Sequence, residues 1–168
     1  MDLSFGLAAE DDAESLQTLR QQVAEHLTAR FGKGHWSNYG NLRAVLRSLE
    51  HSKTLVARRD GEIVATLRLV TKKPWSIDTK YFTPVKRPLY LLDMAVAPAL
   101  QREGVGRELL EAATPVARAW PADAIRLDAY DATAGAGAFY AHCGFQERGR
   151  VVYKGTPLRY YELLLSQP

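Results

Sequence analysis

The sequence predicts an α/β protein in which strands and helices alternate along a single domain. Three observations predict it. Apolar residues recur at helical spacing in some segments and alternate with polar residues in others. Turn signals such as Asp60-Gly61 separate these segments at short intervals. No linker, internal repeat or low-complexity tract breaks the alternation.

Leu3, Phe5 and Leu7 alternate with polar or small residues, so the chain opens on a half-buried strand. Asp11 or Asp12 is placed to cap a helix whose apolar positions Leu16, Leu19, Val23 and Leu27 share one face, and Gly32 closes it. Leu42, Val45, Leu46 and Leu49 mark a second helix. Residues 54–59 and 62–71 flank Asp60-Gly61 as the arms of a type I′ hairpin. The stretch 73–87 holds prolines and aromatics without a period and reads as a loop. Then come a strand at Tyr90, a helix from Gly104, a strand at Leu127 and a helix around Phe139. Two final strands, 146–153 and 158–165, are joined by a Lys154-Gly155-Thr156-Pro157 turn. Pro115 falls inside the third helix and should kink it or end it early. The expected order is β-α-α-β-β-β-α-β-α-β-β.

At 168 residues the chain fits one domain, 1–168, with room for a proper core. Hydrophobic content of 46% and charged content of 24% are ordinary for a soluble globular protein. The net charge of +3 suits an anionic ligand, but it is dispersed. The local basic groups are only Arg58-Arg59, Lys72-Lys73 and Lys86-Arg87, so no nucleic-acid groove is marked. The single Cys143 excludes an internal disulfide and fits a reducing compartment. No apolar run reaches spanning length, and the opening MDLSFGLAAEDD is too acidic and short for a signal peptide. The expected location is the cytoplasm, with no membrane partner. His26, His35, His51 and His142 lack metal-ligand spacing, and no metal is expected. His142 and Cys143 are neighbours in sequence and point apart on a helix, which argues against a Cys–His nucleophile pair.

The chemistry concentrates in Tyr90–Leu110, YLLDMAVAPALQREGVGRELL. A buried strand, a proline stop and a glycine-punctuated turn lead into an amphipathic helix. Such a helix start offers orphan N–H groups and a positive dipole end to an anion. Gly104 and Gly106 let a ligand approach the backbone, while Gln101, Arg102 and Arg107 add donors and positive charge. A Walker loop is excluded because Arg107-Glu108, not Lys-Ser or Lys-Thr, follows Gly106. A Rossmann turn is excluded because Leu109 replaces its third small residue.

The longer pattern, a strand ending in MAVAP followed by Gln101-Arg102-x-Gly104-x-Gly106, resembles the acetyl-CoA signature of the GNAT superfamily of N-acetyltransferases. Downstream, the strand AIRLDAY and the segment Phe139-Tyr140-x-x-x-Gly144-Phe145 resemble the family's last sheet and helix elements. The resemblance covers roughly the second half of the chain. It implies a central, mixed, mostly antiparallel twisted sheet of about seven strands flanked by about four helices.

By resemblance, the backbone of Arg102, Glu103, Gly104, Val105, Gly106 and Arg107 faces the pyrophosphate of acetyl-CoA. Met94, Ala95 and Val96 line the pantetheine arm, and the N–H of Val96 or its neighbour is the oxyanion donor. A preorganised donor of this kind supplies roughly 3 kcal/mol to the transition state. Tyr140 corresponds to the family's acid for the leaving thiolate, with a core aromatic as its simpler role. Asp93 stands where some members carry a catalytic carboxylate, and Asp128 competes with it for base or for binding a cationic amine. Either would need burial to raise its pKa into a useful range. Thr133 replaces a frequent Asn at the start of the last helix and offers itself as a cap. The loop 32–39 corresponds to the acceptor-binding loop or to a packed connector.

The function so implied is transfer of an acetyl group to a primary amine by direct attack in a ternary complex. Asp93, Asp128 and Asp131 favour a small cationic amine. The alternatives are a protein lysine or N-terminal acceptor, and an idle acyl-CoA-binding regulatory domain. The final strands and the aromatic stretch 75–82 offer surface for a homodimer.

Overall fold

A computed structural model describes residues 2–165; Met1 and residues 166–168, the ends of the expected domain, lie outside the described residues. The elements are β1 (Ser4–Leu7), α1 (Ala13–Phe31), α2 (Leu42–His51), β2 (Lys53–Arg59), β3 (Glu62–Val70), β4 (Pro88–Val96), α3 (Val105–Ala119), β5 (Ala124–Tyr130), α4 (Gly137–His142), β6 (Gln146–Tyr153) and β7 (Thr156–Leu164). This is the order expected from the sequence. The strands make a seven-stranded mixed sheet in the order β1-β2-β3-β4-β5-β7-β6. β4 and β5 run parallel, whereas the β1–β2, β2–β3, β5–β7 and β6–β7 ladders are antiparallel. The chain divides into two compact units, Met1–Leu69 with Leu92–Ala113, and Val70–Leu91 with Thr114–Pro168.

In the first unit, the apolar faces of α1 and α2 meet β2. Ala13, Leu16, Val45 and Val56 are buried together, with Leu42, Leu46, Leu49 and Ile63 packed around them. Removing a buried leucine such as Leu16 from such a cluster costs about 2–5 kcal/mol. Gly32 ends α1 at φ +82°, a value that favours glycine, and its N–H reaches Thr28 O at 2.9 Å. The Asn41 side chain caps α2 by accepting the Ala44 N–H at 2.9 Å. Asp60 and Gly61 both adopt positive φ, 53° and 80°, as the type I′ hairpin between β2 and β3 requires.

Several local expectations are corrected. β1 is exposed along its whole length rather than half-buried, because it is a four-residue edge strand. Asp12 does not cap α1; its carboxylate accepts the Ala9 N–H at 2.9 Å and the Arg58 guanidinium at 2.8 Å. Pro115 does not end α3, which continues to Ala119. The β6–β7 turn is tighter than expected. Lys154 and Gly155 alone make it, at φ 48° and 80°, so Thr156 and Pro157 already belong to β7.

In the second unit, β5 pairs with β4 on one side and β7 on the other. Arg126 and Glu162 are both 3% exposed and pair at 3.0 Å. Arg126 also donates to Thr83 O at 2.6 Å and to the Tyr90 hydroxyl at 3.3 Å. The Phe82 ring lies 5.0 Å from the guanidinium, and Glu162 in turn accepts the Thr83 N–H at 3.2 Å. This network fixes the end of the loop that leads into β4. The loop has one turn of 3₁₀ helix, Thr79–Tyr81, started by the Asp78 carboxylate accepting the Lys80 N–H at 3.1 Å. Gly149 of β6 makes room for it, since a Cβ there would lie 2.4 Å from Cδ1 of Tyr81.

Candidate active site

The glycine turn lies where the sequence places it, between the end of β4 and the start of α3. Arg102 and Gly104 adopt φ values of +67° and +87°, so the chain reverses sharply before the helix begins. A Cβ on Gly104 would meet nothing within 4 Å, so the dihedral, not crowding, demands glycine there. The Glu108 N–H closes the first turn on Gly104 O at 3.0 Å. By helix geometry the N–H groups of Val105, Gly106 and Arg107 then have no intrahelical acceptor. An anion such as a phosphate group is the complement of that arrangement.

The side chains around the turn have other partners. Gln101 donates to Val96 O at 3.1 Å, latching the turn to the end of β4. Arg107 pairs with Glu111 at 3.3 Å on the exposed face of α3. Arg102 and Glu103 are exposed. The Ala97 N–H donates to Val64 O at 2.8 Å. Of the two adjoining N–H groups at the strand end, Ala97 is therefore committed to the sheet, and Val96 is the one left to consider as oxyanion donor.

Asp93 lies within β4 in a left-handed conformation, φ +54°, unusual for a non-glycine residue inside a strand. Its carboxylate accepts Arg68 Nε at 2.7 Å, with the two side chains 45% and 16% exposed. Arg20 of α1 is within electrostatic reach of both. Its burial lowers its pKa, the Asp93 charge raises it, and Arg68 lowers it again. Nε and Nη2 of Arg20 are buried without an acceptor among the described residues. Sequence reasoning missed Arg20, although a signal was present. Ala13, Leu16 and Ala24 are buried at helical spacing, and Arg20 occupies the position on that stripe where a leucine is expected.

The second unit holds Tyr140 and Asp128. Tyr140 is 7% exposed, with its ring against Phe139, Phe145 and Tyr161 at centroid distances of 5.2, 5.7 and 6.1 Å. Burial, then Cys143 and Asp128, push its pKa well up, so the hydroxyl stays protonated at any physiological pH. The Asp128 carboxyl is raised by burial and partly lowered by the hydrogen bond it accepts from Ser76. The Tyr160 hydroxyl donates to Ser76 O and accepts the Asp78 N–H at 3.1 Å, which holds the Ser76 segment in place. Ser76 and Tyr160 were not foreseen, because the loop carrying Ser76 has no period to read.

Asp131, unlike Asp128, is paired with an arginine, Arg159, at 2.7 Å. Thr133 does not cap α4. The helix begins four residues later, at Gly137, and its N-cap position is Ala136. Gly137 is needed there because a Cβ would lie 2.6 Å from the Tyr161 hydroxyl. The loop 32–39 is tied to the end of α1, with Trp36 Nε1 donating to Gly32 O at 2.8 Å and Ser37 Oγ 2.6 Å from Thr28 Oγ1.

A strand end latched to a left-handed glycine turn, opening a helix beside a seven-stranded mixed sheet, is the architecture of an acyl-CoA-dependent acetyltransferase. The model of the Acetyltransferase (GNAT) family matches residues 17–145, and the chain belongs to that family. A search of the curated proteins returned no match. Among solved structures, a putative acetyltransferase from Salmonella typhimurium with its cofactor acetyl-CoA superposes at TM-score 0.74, with 17% identity over 100% of this chain and 96% of that one. PaiA N-acetyltransferase from Thermoplasma acidophilum, in complex with coenzyme A, superposes at 0.73, with 15% identity over 98% and 99%. The ribosomal-protein-S18-alanine N-acetyltransferase from Escherichia coli superposes at 0.71, with 17% identity over 99% and 96%. At these identities the likeness is one of fold.

Proposed function

We propose that this chain transfers the acetyl group of acetyl-CoA to the nitrogen of a small primary amine by direct attack in a ternary complex. The observation that carries the reading is the turn Gln101–Arg107. Its left-handed Arg102 and Gly104 and its latch to Val96 O fix the turn from which α3 starts, and a helix start of this kind is suited to hold a phosphate. Acetyl-CoA supplies the activated thioester, and the chain's own groups do the rest. The backbone from Arg102 to Arg107 holds the pyrophosphate, Met94 to Val96 lie along the arm, and the Val96 N–H steadies the charge that develops on the carbonyl oxygen. Thr133, in a turn before α4, is a further cofactor contact rather than a cap.

The attacking amine arrives as an ammonium and must lose a proton before it forms the C–N bond. Asp128 suits that work better than Asp93. Its burial raises its pKa toward the range of an effective base, whereas Asp93 is held in an ion pair with Arg68. Tyr140 donates to the departing thiolate as the C–S bond breaks. With its pKa pushed up, it acts chiefly as a hydrogen-bond donor to developing negative charge rather than as a strong acid. Of the three aspartates that favour a cationic amine, Asp93 and Asp131 are engaged by arginines, so Asp128 alone is left to meet the ammonium.

The test follows acetyl-CoA and a panel of amines by mass spectrometry. A gain of one acetyl group on an amine, matched by an equal amount of free thiol, is expected. Tight acetyl-CoA binding without acetylation of any small amine would oppose it. It would then favour a protein lysine or N-terminal acceptor, or an acyl-CoA-binding domain without turnover.

A further inference from the structure

Arg20, Arg68 and Asp93 make a charge cluster in the first unit that does not balance. Arg68 holds the Asp93 carboxylate at 2.7 Å, and Arg20 lies within electrostatic reach of both without an ion pair of its own among the described residues. Arg20 keeps two buried N–H-bearing atoms, Nε and Nη2, with no acceptor among the described residues. A buried donor without an acceptor costs about 1–3 kcal/mol. A leucine at this place would continue the apolar stripe of α1 at no such cost. The cluster therefore has one missing member, a hydrogen-bond acceptor that carries negative charge.

Its location says what kind. Asp93 directly precedes Met94, the first residue of the segment assigned to the pantetheine arm, and its left-handed φ of +54° turns the strand at that point. The carboxylate of Asp93, 45% exposed, forms the open flank of the cluster. A planar guanidinium fork matches a carboxylate in bidentate fashion, and the Nε and Nη2 edge of Arg20 is such a fork without an acceptor among the described residues. We propose that Arg20 and Arg68 receive a carboxylate carried by the acceptor, so that the acceptor is an amine bearing an acid group, as an amino acid does. This inference rests on the transferase reading and narrows its acceptor from any small amine to a zwitterionic one. The same chemistry has a second source, a phosphate of coenzyme A, and the test separates the two.

The test uses matched sets: glycine, L-alanine and L-lysine, each beside its C-terminal amide and the amine left by removing the carboxyl group. Thiol release from acetyl-CoA is measured with wild type, Arg20→Gln and Arg20→Lys. The carboxylate-bearing member of at least one set is expected to show a KM at least tenfold below its partners. Arg20→Gln should erase that difference, and Arg20→Lys should retain part of it, with the KM for acetyl-CoA unchanged in all three proteins. Equal KM values across every set would overturn the inference. So would a carboxylate preference indifferent to Arg20→Gln, or a rise confined to the KM for acetyl-CoA, which would assign the cluster to the cofactor's phosphate. If no amine of the sets is turned over, the small-amine reading fails, and the anion site is still tested by thermal shift in saturating coenzyme A. Carboxylate-bearing members should then raise the Tm of wild type but not of Arg20→Gln, and no difference between members overturns it.

Discussion

Replacing Arg126 by Met leaves Glu162 charged, 3% exposed and stripped of its main partner. The lost contacts are the 3.0 Å ion pair, the 2.6 Å bond to Thr83 O and the 3.3 Å bond to the Tyr90 hydroxyl. Arg148, whose Nε lies 3.9 Å from the other carboxylate oxygen, is 34% exposed and too distant to take over the charge. Breaking a buried pair on one side costs about 3–5 kcal/mol, because the remaining charge is desolvated and uncompensated. For a chain of this size each kcal/mol lowers Tm by roughly 2–4 °C, so the expected fall is roughly 10 °C. Replacing both residues, Arg126→Met with Glu162→Leu, removes the stranded charge and should recover most of the loss. Urea unfolding of the two single variants and the double variant, read by fluorescence and circular dichroism, closes the cycle. A single variant that loses less than about 1 kcal/mol would refute the reasoning, since that is what a solvated surface pair contributes.

The remaining predictions concern the site. Gly104→Ala forces a Cβ into a left-handed residue, costing about 1–2 kcal/mol, and should raise the KM for acetyl-CoA well beyond that for the amine in steady-state assays. Asp128→Asn should suppress turnover and raise Tm at neutral pH. The native Asp128 holds its proton to higher pH than the unfolded chain, so its ionisation draws down stability as pH rises from the ordinary carboxyl value of 3.8 through the raised native one. The Tm gain of Asp128→Asn should therefore vanish below that ordinary value, and a gain that persists in acid would contradict the linkage. Gln101→Ala, which cuts the latch to Val96 O, should weaken acetyl-CoA binding by calorimetry while changing Tm by little.

What the sequence revealed was what is local. Asp60-Gly61 and Gly32 announce their turns because their backbone angles are set by residues adjacent in the chain, and the Gln101–Gly106 motif announces its turn for the same reason. Leu42, Val45, Leu46 and Leu49 mark α2 because their spacing matches the face it buries. What stayed hidden depends on partners far apart in sequence. The Asp93 ion pair needs Arg68 from β3, and the shifted Asp128 needs Ser76 from a loop without periodicity. The alternation of Leu3, Phe5 and Leu7 misled because an edge strand alternates without being buried, leaving Leu7 56% exposed. Thr133 misled because the cap position is set by where the chain enters α4, and Gly137 is fixed there by the Tyr161 hydroxyl.

The most direct test of the central claim is thiol release from acetyl-CoA with an accepted amine, comparing wild type with Tyr140→Phe. The account predicts amine-dependent thiol release in the wild type. In Tyr140→Phe it predicts a kcat lower by at least tenfold, with the KM for acetyl-CoA and the Tm little changed. Thiol release that ignores the amine, or a Tyr140→Phe protein as fast as wild type, would contradict it.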